Sequence, residues 1–180
     1  MLPQGHAILS DDIAVLNNPG HHWLAQPGYP RLRLWPAAIH ALYGSEVGLA
    51  RIFSFTEKRF VDLSDSMHQA AWQFCREPLP LAAIYVLGER QSGLTGTAIE
   101  PIPPALAVMT LMGQRSANHL LLELDADQQA REFADLSRLA MQVPVRKVKR
   151  SDRLDALPQL CDAIVEDVAR IGTPETCTQP

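Results

Sequence analysis

Residues 79–87 read LPLAAIYVL, an apolar run with β-branched and aromatic members, bounded by Pro78 and Gly88. A run of that length and composition predicts a buried strand, and its setting decides the fold class. On its C-terminal side a loop containing Gly93 and Gly96 leads to a short strand near Ile99, and Pro104 opens a helix through Met112. A second helical stretch covers Asn118 to Leu124. Asp125 followed by Gln128 is a variant of the capping box, and Ala130, Phe133, Leu136 and Ala140 then recur at helical spacing up to Gln142. Val143 to Val148 reads as a strand. The last helix has Pro158 in its first turn, a stripe of Leu160, Cys161, Ile164, Val165, Val168 and Ile171, and Gly172 as its stop.

On the N-terminal side the chain is richer in extended segments and turns. His6 to Ser10 and Ile13 to Leu16 are short apolar runs separated by Asp11-Asp12. Asn17-Asn18-Pro19-Gly20 is a hairpin-type turn, and His22 to Ala25 is its returning strand. Pro27 and Pro30 punctuate a second turn, because each proline restrains itself and its predecessor. Pro36 starts a short helix through Tyr43 that Gly44 ends. Residues 45–59 carry little pattern. Phe60 to Leu63 reads as a strand, and Ser66 to Phe74 has helical composition. With strands mostly first and helices mostly last, a mixed α/β layer fold is expected: one domain over residues 1–172 and a polar, disordered tail over 173–180.

Composition narrows the function classes. The chain has 180 residues, 47% hydrophobic and 20% charged, with a net charge of -4, so its totals carry no polyanion-binding footprint and no nucleic-acid partner is expected. Arg146, Lys147, Lys149 and Arg150 are the densest basic cluster, which alternation within VPVRKVKR explains as a strand. The three cysteines are widely separated and odd in number, against a disulfide framework or zinc site. No apolar run approaches the roughly 20 residues of a membrane span, and the N-terminus lacks the features of a signal peptide. A cytoplasmic location is expected.

Asp11 and Asp12 are the first chemical candidates. A strand ending in adjacent carboxylates puts charge at the rim of a sheet, where ligands collect. On a regular strand their side chains would point to opposite faces, one toward Mg²⁺ and the other toward an incoming hydroxyl. The competing reading is a turn using local side-chain bonds, and composition alone favours it. Lys58 and Arg59 are the second candidates, as cations for a transferring phosphoryl group or as an exposed pair beside Glu57 and Asp62. The six histidines lack ligand spacing, no GxSxG elbow occurs, and Trp23, Trp35, Trp72 and the methionines of VMTLM read as core. Neither GxxxxGK[ST] nor GxGxxG occurs: no lysine follows a glycine.

Taken together, GHAILSDDIAVL, PGYPRLRLWP, EKRFVDL, PLPLAAIYVLGER and the closing AREFADLSRLAMQVPVRKVKRSDRLDALPQLCDAI resemble the HPr serine kinase family. They are most similar to its shorter relatives in peptide-modification gene clusters, including kinases of lasso peptides. The resemblance covers nearly the whole chain in order. It implies a P-loop-type α/β fold related to the nucleotide domain of phosphoenolpyruvate carboxykinases. It also implies an ATP- and Mg²⁺-dependent kinase acting on a serine of a protein or peptide. By the match, Asp11 and Asp12 are the catalytic and metal-facing residues, either being the base, and Lys58 and Arg59 are phosphate or substrate contacts.

The family's strand, phosphate loop and helix precede its tandem aspartates, whereas only Met1-Leu2-Pro3-Gln4 stand before Gly5 here. The expectation is therefore a fold truncated at its N-terminus, using ATP and Mg²⁺ only if the loop is supplied and very slow or inactive otherwise. The alternative is a non-catalytic peptide- or protein-binding or regulatory module derived from such a kinase. A third reading is an inactive remnant with an exposed sheet edge. An unpaired edge would also favour a homo-oligomer.

Overall fold

The computed structural model describes residues 6–45, 48–64, 73–116 and 125–172, and within them the chain is mixed α/β with several small sheets. It falls into two compact units divided between Pro80 and Leu81.

The N-terminal unit is built from short strands. β1 (Ala7–Ile8) runs parallel to β6 (Gln73–Phe74), and the Cys75 N–H extends that pairing to the Ile8 carbonyl at 2.8 Å. β2 (Val15–Asn17) and β3 (Leu24–Gln26) are antiparallel across the Asn17–Gly20 turn, where Asn18 Oδ1 accepts the Gly20 N–H at 3.1 Å. β7 (Leu79–Pro80) pairs with the other side of β3, leaving β2 at one edge. β4 (Arg31–Leu34) pairs antiparallel with β5 (Arg59–Asp62). The alternation RLRL explains what β4 does: Leu32 joins the buried Val61 and Leu63, while Arg31 and Arg33 share the opposite face. Ile8, Leu34, Leu49 and Phe74 pack around this cluster. Pro36 pre-sets the first turn of α1 (Pro36–Tyr43), and Gly44 ends it at φ 77, a left-handed conformation that glycine adopts without a Cβ penalty.

The C-terminal unit has a three-stranded sheet in the order Ile84–Gln91, Val145–Ser151, Ala98–Pro101. β8 (Ile84–Gln91) is parallel to the central β10 (Val145–Ser151), and β9 (Ala98–Pro101) is antiparallel to it. Val145 and Val148 are buried, Val148 completely, which accounts for a strand in so basic a segment. α2 (Pro104–Gly113) packs on α3 (Ala126–Gln142). At the start of α3 both bonds of the capping box form: Asp125 Oδ1 accepts the Gln128 N–H at 2.8 Å, and Gln128 Oε1 accepts the Asp125 N–H at 3.0 Å. A 3₁₀ turn (Leu154–Ala156) leads into α4 (Leu157–Ile171), which stops at Gly172.

α4 is tied to the sheet by a buried polar group. Tyr85 on β8 and Arg146 on β10 are direct register partners. The Tyr85 hydroxyl donates to Asp167 Oδ2 at 2.9 Å, and Arg146 Nε lies 3.3 Å from the same oxygen. Burial, then the hydrogen bond and charge of Asp167, push the Tyr85 pKa from 10.0 up to about 12, against the opposing charge of Arg146. A phenol whose folded pKa is raised keeps its proton when the unfolded chain has lost it. Its stabilisation is complete below pH 10 and is lost as pH climbs toward 12. Denaturant midpoints measured from pH 8 to 12 are expected to fall through that window, and Tyr85→Phe to flatten the fall.

Several expectations change. LPLAAIYVL is not one strand: Pro80 lacks the N–H to continue a ladder, β7 ends there in the first unit, and β8 begins at Ile84 in the second. Nor is the run fully buried, since Leu79 and Leu87 are 43% and 49% exposed. The strand expected at Val143 starts at Val145, because Val143 caps α3 and Pro144 follows. The helix expected over Ser66 to Phe74 lies outside the described residues up to Trp72, and Gln73–Phe74 is extended against β1. The expected helical stretch Asn118 to Leu124 and the expected disordered tail at 173–180 lie outside the described residues too. Trp23 is buried as expected, but Trp35, Met109 and Val165 are exposed. On α4 the buried position next to Val165's turn belongs to Asp167.

Candidate functional site

Asp11 and Asp12 do not continue β1. They occupy a bend that Ser10 closes, its hydroxyl donating to the Ile13 carbonyl at 2.5 Å. The neighbouring turn holds the bend from outside: the Gly28 N–H donates to the Leu9 carbonyl at 2.8 Å. A Cβ on Gly28 would meet Ser10 Oγ, so a larger residue there would push aside the hydroxyl that closes the bend. Because the strand has ended, the alternation rule does not separate the two carboxylates.

Both carboxylates instead meet one residue of β4. The Arg33 N–H donates to Asp11 Oδ2 at 2.8 Å, and Arg33 Nη1 donates to Asp12 Oδ2 at 3.1 Å. The Arg33–Asp12 ion pair is about half exposed on both sides, so it is exchangeable rather than strongly stabilising. Asp11, Asp12, Tyr29, Arg31, Arg33 and Phe60 line one open cleft of about 430 Å³. Arg31 stands beside them over the Phe60 ring, 5.5 Å from its centroid, and 3.7 Å from Asp62 Oδ2 across the β4–β5 pair. The cleft thus sets two carboxylates against two guanidinium groups on a partly apolar floor.

Lys58 and Arg59 are placed elsewhere. Lys58 Nζ lies 5.5 Å from the centroid of the Trp35 ring, and Arg59 Nη1 donates to the Leu49 carbonyl at 3.2 Å. Neither lines the cleft. The structure therefore brings Asp11 and Asp12 together and sets Arg31 and Arg33 beside them, apart from Lys58 and Arg59. The signal for those arginines was available: they sit two apart in RLRL, on the face opposite Leu32 and Leu34.

Magnesium is commonly held by one or two carboxylates, with water and phosphate oxygens completing six ligands. Asp11 and Asp12 each have one oxygen not engaged by Arg33, which fits the protein's share of such a site. Among the described residues no group of three or more His, Cys, Asp or Glu could hold a metal by itself. The loop that cradles nucleotide phosphates in P-loop proteins, GxxxxGK[ST], does not occur in the sequence. No described helix is long and apolar enough to cross a membrane. No family model, no curated protein and no solved structure matches the chain.

Proposed function

We propose that the chain contributes the acceptor side of an ATP-dependent serine kinase acting on a peptide or protein. The observation that carries this reading is the convergence of Asp11, Asp12 and Arg33 on one open cleft. Asp11 is the base: a backbone amide fixes one of its oxygens, and the other is left to accept the proton of a serine hydroxyl. Asp12 would hold magnesium, which when bound neutralises charge on the phosphates. Arg33 orients both carboxylates, and its half-exposed guanidinium is available to developing negative charge once its pair with Asp12 exchanges. The sequence has no GxxxxGK[ST] loop, so on this reading transfer requires another segment to cradle the nucleotide phosphates beside the cleft.

The test is phosphate transfer to serine peptides by the chain fused behind a GxxxxGK[ST] segment. Transfer is expected in the fusion, and Asp11→Asn is expected to lower it by about 10²–10⁴-fold. Transfer that survives both Asp11→Asn and Asp12→Asn rejects the site.

One observation favours a second reading, a non-catalytic binding module: both carboxylates already have a partner in Arg33, as structural turn residues would. In that case peptides bind in the cleft, no fusion transfers phosphate, and Arg33→Ala weakens binding as much as either aspartate change.

A further inference from the structure

The parallel strands β8 and β10 end side by side at Gln91 and Ser151, and β9 starts beside the same end, after Thr97. Ligands of α/β sheets collect outside the carboxyl ends of parallel strands. Two clefts of about 30 and 230 Å³ lie there and share Ser151, Arg153 and Ala156 in their walls. Arg90, Thr97, Arg150 and Asp152 line the first, and Thr95 and Gly96 the second.

The register at this point is unusual. Val148 pairs with Leu87, but two residues later Arg150 pairs with Arg90, so β8 contains one extra residue. An unbroken register would have set Arg150 opposite Glu89. Opposite charges facing across strands stabilise a sheet and like charges destabilise it, so the bulge replaces a favourable pair with an unfavourable one. The bulge also needs Gly88, since a Cβ there would sit 3.0 Å from the Val148 carbonyl oxygen.

No carboxylate among the described residues relieves the repulsion directly. Arg150 Nε donates to the Gly88 carbonyl at 3.1 Å, which fixes its guanidinium while leaving its terminal donors uncommitted. Arg90 has no carboxylate partner among the described residues. Arg153 pairs with Asp155, and Asp152 is the one carboxylate among the residues lining the first cleft.

We propose that the carboxyl end of β8 and β10 binds a phosphoryl group, held between Arg90 and Arg150 with the Thr97 hydroxyl as a further donor. A tetrahedral dianion matches two guanidinium groups in charge and has oxygens left for a hydroxyl, whereas a carboxylate would add only what Asp152 already brings. This site belongs to the second unit and stands or falls independently of Asp11 and Asp12.

The test is calorimetric titration of the full chain with inorganic phosphate at low salt, with chloride at matched ionic strength as the control. Saturable phosphate binding is expected, with Arg90→Gln weakening it at least about tenfold. Asp152→Asn removes the opposing charge and is expected to tighten it, a gain that misfolding cannot imitate. Phosphate no better than chloride, or Arg90→Gln binding as well as the parent, overturns the proposal. Phosphoserine and AMP as further titrants separate the sources: preference for the first assigns a protein-borne phosphate, and preference for the second a nucleotide.

Discussion

Asp167→Ala is expected to destabilise the C-terminal unit by about 3–5 kcal/mol, the range for breaking a buried ion pair by removing one partner. Asp167 is only 7% exposed, and the change strands both Arg146 and the Tyr85 hydroxyl in a site built around its carboxylate. Asp167→Asn should cost less, because an amide oxygen can still accept from Tyr85 while the charge is lost. Urea unfolding followed by hydrogen exchange of the β8 and β10 amides measures both. Equal stability of Asp167→Ala and the parent would mean that α4 is held by its apolar contacts alone.

In the N-terminal unit the largest effect is expected from Leu63→Ala, at about 2–5 kcal/mol. Leu63 is 2% exposed and packs with Leu32 and Val61, the two residues that face each other across the β4–β5 pair. Its N–H also donates to the Pro30 carbonyl at 2.8 Å, so it closes the end of that pair. The cavity loosens β4, and Arg33 with it, so exchange protection should fall over residues 31–34 and 59–62 together. Val15→Ala is the control, since Val15 is 59% exposed and its loss should cost little.

The helices were the most legible part of the fold, because their signals are local. Pro36 and Gly44 bracket α1, Asp125 and Gln128 build the box before α3, and Gly172 stops α4. Strand limits were harder to read. Nothing in LPLAAIYVL announces that its two ends pair in different sheets, because pairing is decided by residues far away in sequence. The buried Asp167 was half visible: it falls seven residues after Leu160 and three after Ile164, on the apolar stripe of α4. The resemblance, not composition, pointed to Asp11-Asp12, and neither pointed to their partner, since Arg33 lies 21 residues after Asp12, on β4. The opposition of Arg90 and Arg150 could not be read at all. It depends on a single-residue register shift, without which the pairing of Val145–Val148 would have set Arg150 against Glu89.

The strand order β8-β10-β9 also carries a consequence for the time course of folding. β8 and β9 are made first, yet they do not pair with each other: each bonds only to β10 within this sheet, and β10 follows after α2 and α3. During synthesis the two early strands wait with open edges until residues 145–151 emerge, while α2 and α3 can already pack locally. The interval before β10 appears is therefore when this unit is most prone to self-association, and the basic residues along β10 are the last to be committed.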